Sequence, residues 1–228
     1  MKFRFERKYY LNVHTALILK QRIAAVLRPD RHNDGQYHIS SLYFDDLYDT
    51  AYCEKRDSLH IRDKYRVRHY NGDLSTLKLE CKRKRGEFIS KASVLATPEQ
   101  YDLMLQGDLG FAEALPDKLW QRLFLLHKTK HLSPVVLIDY DRHAFVYPPG
   151  DVRVTFDTDL QVCCRTGRAF ERALPLDCTV LEVKYTRFLP SVVAGLLGGL
   201  PLIQTPISKY ILARDKMWEM NRYVFTTS

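Results

Sequence analysis

The sequence has no long, uninterrupted apolar segment. Its longest apolar stretch, residues 188–203, is broken by two prolines and three glycines, whereas a membrane-spanning helix needs about 20 consecutive apolar residues. The first eleven residues, MKFRFERKYYL, carry charges where a secretory signal peptide needs an apolar run. We therefore expect a cytoplasmic protein without a membrane span.

Cysteine pairs with metal-binding or redox spacing are also missing. The cysteines are Cys53, Cys81, Cys163, Cys164 and Cys178, and no two of them form a C-x-x-C pair. Their odd number and irregular spacing favour reduced thiols in a cytosol. His127 and His131 have the helical spacing of metal ligands, but no acidic residue or cysteine is evident as a partner nearby, so a structural role is favoured.

Basic residues, in contrast, are in surplus. The 228 residues include 35 Lys or Arg against 27 Asp or Glu, which gives a formal net charge of +8, and the pI is about 9.2. Hydrophobic residues make up 46% of the chain, enough for a buried core, and we expect one domain over residues 1–228. The charge predicts an anionic partner, which could be nucleic acid, an acidic membrane surface or a phosphorylated small molecule.

Segments that alternate between apolar and polar residues dominate the chain and predict strands. These cover residues 2–11, 38–44, 60–70, 74–84, 88–94, 134–147, 151–157 and 179–185. Asn71-Gly72 between two of them is a strong hairpin signal. Helices are predicted over residues 13–27, 99–105, 115–126, 191–197 and 208–223, and a charged connection follows residue 44. The pattern favours an antiparallel sheet or barrel over a doubly wound fold.

Lysine and arginine concentrate on the polar faces of these strands. Alternation places together Arg4, Glu6 and Lys8; Arg62, Lys64, Arg66 and Arg68; Lys78, Glu80 and Lys82; Arg153, Thr155 and Asp157; and Glu182 and Lys184. A single strand with such a face is compatible with a sheet that exposes one face to solvent. Many converging cations need water or a polyanion between them, because two charges about 4 Å apart cost about 4 kcal/mol at an effective dielectric of 20. The isolated carboxylates fit a divalent metal ion, which binds one or two carboxylates together with phosphate oxygens.

Eight short segments carry a family resemblance. They are FERKY from Phe5, SLYFD from Ser41, KYRVRHY from Lys64, LECK from Leu79, YDRHAF from Tyr140, RVTFDTD from Arg153, LEVKY from Leu181 and SKY from Ser208. In this order they resemble the CYTH, or triphosphate tunnel metalloenzyme, superfamily, and within it the VTC domain of polyphosphate polymerases. The hydrolytic branch begins with Glu-x-Glu-x-Lys, where this chain has Arg4-x-Glu6-x-Lys8, and this difference favours the VTC branch.

The resemblance implies an α+β fold, an eight-stranded antiparallel β-barrel tunnel with helices packed outside. It implies a metal-dependent polyphosphate polymerase that passes the γ-phosphoryl group of ATP to a growing polyphosphate chain. The implied catalytic residues are Arg66, Arg68, Arg142, Arg153 and Lys209, and the implied substrate-binding residues are Lys8, Lys78, Lys82, Tyr140 and Lys184. Glu182 would bind Mn²⁺ or Mg²⁺, with Glu6 and Glu80 as further candidates. A membrane-protein partner would suit the family but leaves no mark in this sequence.

Two alternative functions remain open, and a third is disfavoured. A triphosphate hydrolase of the same fold would act on inorganic or nucleoside triphosphate with water as acceptor, and a polyphosphate-binding module would not catalyse. A nucleic-acid binder should interleave exposed aromatic residues with cations on one face. Here Phe3, Phe5 and Phe156 fall opposite the cations, so we expect no nucleic-acid partner. Tyr43 and Asp45 could either face the tunnel or end a strand.

Overall fold

The computed structural model describes residues 4–164 and 170–226. Contacts within the chain define two compact units, each assembled from segments that are distant in sequence. The first unit comprises Met1–His38, Tyr140–Leu160 and Leu174–Ser208, and the second comprises Ile39–Asp139, Gln161–Ala173 and Lys209–Ser228. One domain over residues 1–228 stays a prediction.

Strands and helices together confirm the α+β class. The strands are β1 Arg4–Asn12, β2 Arg28–Pro29, β3 Gln36–Asp45, β4 Ile61–Tyr70, β5 Asp73–Arg85, β6 Phe88–Leu95, β7 Ser133–Tyr147, β8 Val152–Cys164, β9 Glu171–Arg172 and β10 Cys178–Thr186. The helices are α1 Val13–Ala24, α2 Thr50–Arg56, α3 Pro98–Gln106, α4 Lys118–Lys130, α5 Ser191–Leu197 and α6 Lys209–Thr226. In the described part of the chain, no helix combines the length and the apolar character that a membrane crossing requires.

In the first unit, the strands follow the order β1-β10-β8-β7. The antiparallel register places Lys8 of β1 opposite Glu182 of β10, and Glu182 opposite Thr155 of β8. The other face is apolar: Leu181 and Val183 are fully buried with Leu19 and Ile23 of α1. Helix and sheet thus bury one face of β10 and leave the charged face available for a site.

In the second unit, β3, β4, β5 and β6 form an antiparallel meander. Its predicted hairpin turn is confirmed: Asn71 and Gly72 both have positive φ, 52° and 72°, between the paired residues Tyr70 and Asp73, as a tight two-residue turn requires. The apolar face of the meander packs against α3 and α4, with Leu79, Met104 and Leu123 fully buried. This packing leaves the basic face of β4 on the opposite side.

The helices differ from the predictions at several places. The charged connection after β3 contains α2, because the Asp45 carboxylate accepts hydrogen bonds from the backbone N–H groups of Ala51 (2.8 Å) and Tyr52 (3.0 Å). Helix α1 ends at Ala24 rather than at residue 27. Helix α4 begins at Lys118 rather than at residue 115, since the Asp117 side chain caps it by accepting from the Leu119 N–H at 2.7 Å.

Barrel closure is not confirmed. Eight strands lie on one path, in the order β1-β10-β8-β7-β3-β4-β5-β6, while β2 pairs with β7 and β9 with β8 off that path. Within residues 4–164 and 170–226, no pairing joins the two end strands of this path. The structure therefore shows a predominantly antiparallel sheet with helices, and the closed tunnel stays a prediction.

Candidate functional site

Four charged side chains of alternating sign meet on β1 and β10. The Lys8 ammonium lies 3.2 Å from Glu6 Oε1 and 3.4 Å from Glu182 Oε2. The Lys184 ammonium pairs with Glu182 and lies 3.8 Å from Glu6 Oε1. The antiparallel register produces this arrangement, since Lys8 pairs with Glu182 and Glu6 with Lys184. We call these four residues the charged quartet.

Lys8 stays protonated in this setting. Burial lowers its pKa, but the carboxylates of Glu182 and Glu6 raise it by more, so the net shift is upward. Its ammonium also donates a hydrogen bond to the backbone oxygen of Ile207 at 3.1 Å. The quartet therefore holds a fixed positive charge beside two carboxylates.

The oxygen atoms around Glu182 fit a hard divalent cation. Thr155 stands opposite Glu182 across β8 and β10, and its buried hydroxyl has no hydrogen-bond partner among the described residues. Carboxylate and hydroxyl oxygens suit Mg²⁺ or Mn²⁺, which commonly keeps waters and binds substrate phosphates as well. In the described part of the chain, no cluster of three or more His, Cys, Asp or Glu residues could hold a metal by itself. A metal at this position would therefore need further oxygen ligands from outside the protein.

Arg142 is held in place by a buried, bidentate ion pair. Its Nε and Nη2 donate to the two carboxylate oxygens of Asp157 at 2.6 Å and 2.8 Å. The guanidinium also lies 5.4 Å from the centre of the Tyr140 ring. Burial lowers the pKa of Arg142, but Asp157 and Tyr140 raise it by more. Sequence reasoning selected Arg142 and Tyr140 but missed Asp157 as the partner of Arg142, although it noted the face of β8 on which Asp157 lies.

Arg153 is oriented by two residues that the sequence did not single out. Its Nη2 donates to Asp30 Oδ2 and to the Tyr37 hydroxyl, both at 2.5 Å. Across β8 and β10 it pairs with Lys184 of the quartet. Arg153 and Asp30 also line an open cavity of about 280 Å³, together with Arg4. The first unit therefore brings Arg153 next to the quartet along one sheet face.

In the second unit, Arg66 is held by Glu80 and Tyr43. Arg66 Nε and Nη2 lie 2.7 Å and 2.6 Å from Glu80 Oε2, and Nη1 donates to the Tyr43 hydroxyl at 3.1 Å. Glu80 also pairs with Lys91. Burial raises the pKa of Glu80, but Arg66, Lys91 and the other nearby cations lower it by more. Glu80, a predicted metal candidate, is thus an ionised partner that orients Arg66.

Tyr43 lies on the basic face, whereas Asp45 has a structural role. Burial raises the pKa of Tyr43, but Arg66 and the neighbouring cations Lys64 and Arg68 lower it to about 6. The buried Asp45 carboxylate caps α2 and accepts the hydroxyl hydrogen bond of Tyr210 at 2.5 Å. The two residues that the sequence could not place therefore have different roles.

The other predicted residues of the second unit follow the same meander. The buried Arg68 donates from Nε to the Ser41 hydroxyl at 2.9 Å and pairs across the strands with the exposed Lys78. Lys82 pairs with Lys64, and Lys209 is the first residue of α6. Each unit thus presents its own set of predicted phosphate ligands.

The two histidines with helical spacing have structural roles. His127 lies with Nδ1 at 2.9 Å from the backbone oxygen of Leu132. His131 ends α4 in a left-handed conformation, with φ of 55°. These contacts agree with the structural interpretation of that motif.

Comparison with known families identifies the chain. A model of the VTC domain matches residues 3–218. The chain belongs to the VTC domain family. This confirms the resemblance carried by the eight segments, and the match spans both units of the VTC domain. No curated protein matches the sequence closely enough to count as a relative.

Solved structures are similar to this VTC domain at low sequence identity. A Bacillus halodurans protein, provisionally named an adenylate cyclase, has a TM-score of 0.54 and 12% identity, covering 91% of this chain and 94% of that one. The PH1819 protein of Pyrococcus horikoshii has a TM-score of 0.49 and 14% identity, covering 94% of this chain and 99% of that one. At such identity, the likeness to the Bacillus protein shows the fold alone.

Proposed function

We propose that this VTC domain is a metal-dependent polyphosphate polymerase, which transfers the γ-phosphoryl group of ATP to the end of a polyphosphate chain. The charged quartet carries this proposal. It combines a lysine whose positive charge is fixed with two carboxylates, which in this proposal would hold a divalent cation. Cations and a metal are the groups that phosphoryl transfer needs, because positioning and charge neutralisation supply most of its catalysis.

The reaction balances without a protein nucleophile or base. The terminal phosphate oxygen of the chain, already anionic, forms a bond to the γ-phosphorus, and the bond from that phosphorus to the β–γ bridging oxygen breaks. ADP leaves with the electron pair of the broken bond. Within this scheme Arg66, Arg68 and Lys82 hold the triphosphate of ATP, and Lys8 neutralises charge beside the metal.

The remaining predicted residues have supporting roles in the proposal. Arg142, Arg153 and Lys209 neutralise the transferred phosphoryl group or guide the chain, since arginine forks bind phosphate oxygens by two bonds. Glu182 and Glu6 would hold Mn²⁺ or Mg²⁺, which would supply charge neutralisation at the phosphate oxygens. The proposal includes the closed eight-stranded tunnel that the family resemblance implies, because a closed sheet would give these residues one lumen.

Product analysis tests the proposal. The purified protein is incubated with ATP and Mn²⁺, and polyphosphate is separated from free phosphate. We expect polyphosphate and ADP to form together. Arg66→Ala should weaken ATP binding as well as rate, whereas Arg31→Ala, which removes the same charge from an exposed position, should change neither. If only free phosphate is released, the protein is a triphosphate hydrolase and not a polymerase. If triphosphate binds without turnover, the protein is a binding module.

A further inference from the structure

Tyr210, the second residue of α6, is fully buried and makes two hydrogen bonds through its hydroxyl. The hydroxyl donates to Asp45 Oδ2 at 2.5 Å and accepts from Arg214 Nη1 at 3.3 Å. Burial and the Asp45 carboxylate raise the pKa of Tyr210, so the hydroxyl stays protonated and remains a donor. Hydrogen bonds to charged groups are stronger than those between neutral groups. The start of α6 is therefore fixed to the end of β3.

Both partners of the Tyr210 hydroxyl are themselves held in place. The Asp45 carboxylate accepts three backbone hydrogen bonds, between 2.8 and 3.0 Å, from residues 46–52. Arg214, one turn further along α6, donates from Nη2 to Asp49 Oδ1 at 2.6 Å. Because each partner has other contacts that hold it, the hydroxyl of Tyr210 has a defined position in this network.

The ring of Tyr210 contacts residues of the basic face. Its centre lies 5.3 Å from the centre of the Tyr43 ring and 4.7 Å from the Lys64 ammonium. The Tyr43 hydroxyl in turn accepts a hydrogen bond from Arg66 at 3.1 Å. Tyr210 thus connects the first turn of α6, through its ring, to the face that holds the triphosphate in the proposed function.

Lys209, the first residue of α6, directly precedes Tyr210. The Cα atoms of neighbouring residues are about 3.8 Å apart, so a fixed Tyr210 restricts the backbone positions open to Lys209. The ends of helices otherwise fray. A lysine whose backbone is already ordered loses less conformational entropy when it binds an anion. The network therefore prepares Lys209 for binding beside the basic face.

We propose that Tyr210 is a positioning residue for phosphate binding: its hydroxyl, held by Asp45 and Arg214, keeps the first turn of α6, and with it Lys209, beside the basic face of β4. This inference rests on the proposed function, in which Lys209 neutralises phosphate charge. Tyr210 makes no contact with phosphate in this scheme. Loss of its hydroxyl should therefore change phosphate binding through Lys209.

A double-mutant cycle between Tyr210→Phe and Lys209→Ala tests the inference, with binding of metal-free inorganic triphosphate measured by calorimetry. Lys209→Ala alone should weaken binding by about tenfold, as expected for one charge-assisted contact. Tyr210→Phe alone should weaken it by about fivefold, and adding Lys209→Ala should then cost less than about twofold more, because coupled effects do not add. A loss of stability alone would leave the contribution of Lys209 unchanged.

Tyr210→Phe keeps the buried ring and leaves Asp45 its three backbone donors, so the variant should fold. Tyr52→Phe is the matched control, because it removes another hydroxyl hydrogen bond between α2 and α6, the one to Asp215 at 2.7 Å. It should change neither triphosphate binding nor the effect of Lys209→Ala. Additive effects of Tyr210→Phe and Lys209→Ala, or an equal effect of Tyr52→Phe, would refute the positioning role.

The same titrations separate this inference from the proposed function. Unchanged binding by Lys209→Ala would show that Lys209 is not a phosphate ligand, and the inference would fail with it. A wild type that binds no triphosphate would overturn both the function and the inference. One that binds triphosphate but makes no polymer would overturn the polymerase alone.

Discussion

Replacing Glu182 by Gln should change anion binding and metal-dependent turnover in opposite directions. The Glu182 side chain is 7% exposed, pairs with Lys184 and lies 3.4 Å from the Lys8 ammonium. Gln keeps the size of the side chain and removes its charge. Lys8 retains Glu6 at 3.2 Å, so the fold should survive.

The magnitude follows from removing one negative charge beside the phosphate ligands. A unit charge about 4 Å away contributes about 4 kcal/mol at an effective dielectric of 20. Greater distance and salt screening reduce this to about 1–2 kcal/mol, or roughly tenfold tighter binding of metal-free triphosphate. With Mn²⁺ present, loss of a carboxylate ligand should lower turnover of ATP by at least about a hundredfold.

Two measurements on the same preparation check both directions. Triphosphate affinity is measured by calorimetry with a chelator present, and polymer formation from ATP is measured with Mn²⁺. Glu219→Gln, which removes a carboxylate from an exposed pair on α6, serves as the control for a change in net charge. Near-normal turnover by Glu182→Gln would place the metal elsewhere, with Glu6 the next residue to replace. Unchanged binding of metal-free triphosphate would show that Glu182 does not border the phosphate site.

Two further predictions concern stability and pH. Asp157→Asn should lower the free energy of unfolding by about 3 kcal/mol, because it leaves the buried Arg142 without its carboxylate partner. Urea denaturation measures this loss. Loss of an exposed ion pair costs under about 1 kcal/mol, and an equally small loss here would refute the stabilising role of the Arg142–Asp157 pair. Tyr43 should ionise near pH 6 when folded, against an ordinary value of 10.0. Its lowered pKa contributes stability that is complete above pH 10 and is lost as the pH falls towards 6. Ultraviolet titration should show a phenolate step near pH 6. Tyr43→Phe should remove this step, and bound triphosphate should move it to higher pH. A titration without the step would contradict the prediction.

Local periodicity alone determined the strands and the faces on which the cations lie. An extended chain points alternate side chains to opposite sides, so Arg66 and Arg68 had to share a face whatever they packed against. The Asn71-Gly72 hairpin was equally local, because its positive φ angles suit those two residue types. The ordered segments from Phe5 to Ser208 also sufficed to indicate the VTC domain family.

Only the tertiary structure decided which charges meet. Lys8 and Glu182 are far apart in sequence, and their pairing depends on the register of β1 against β10, which no local pattern encodes. The sequence of helix α2 has no periodic signal of its own. The helix is stabilised from outside, because the carboxylate of Asp45 in the preceding strand accepts hydrogen bonds from its first backbone N–H groups. The contact of the Lys64 ammonium with the Tyr43 and Tyr210 rings likewise needs residues from β3, β4 and α6. These features depend on contacts between distant segments, whereas strand faces follow from the geometry of a single segment.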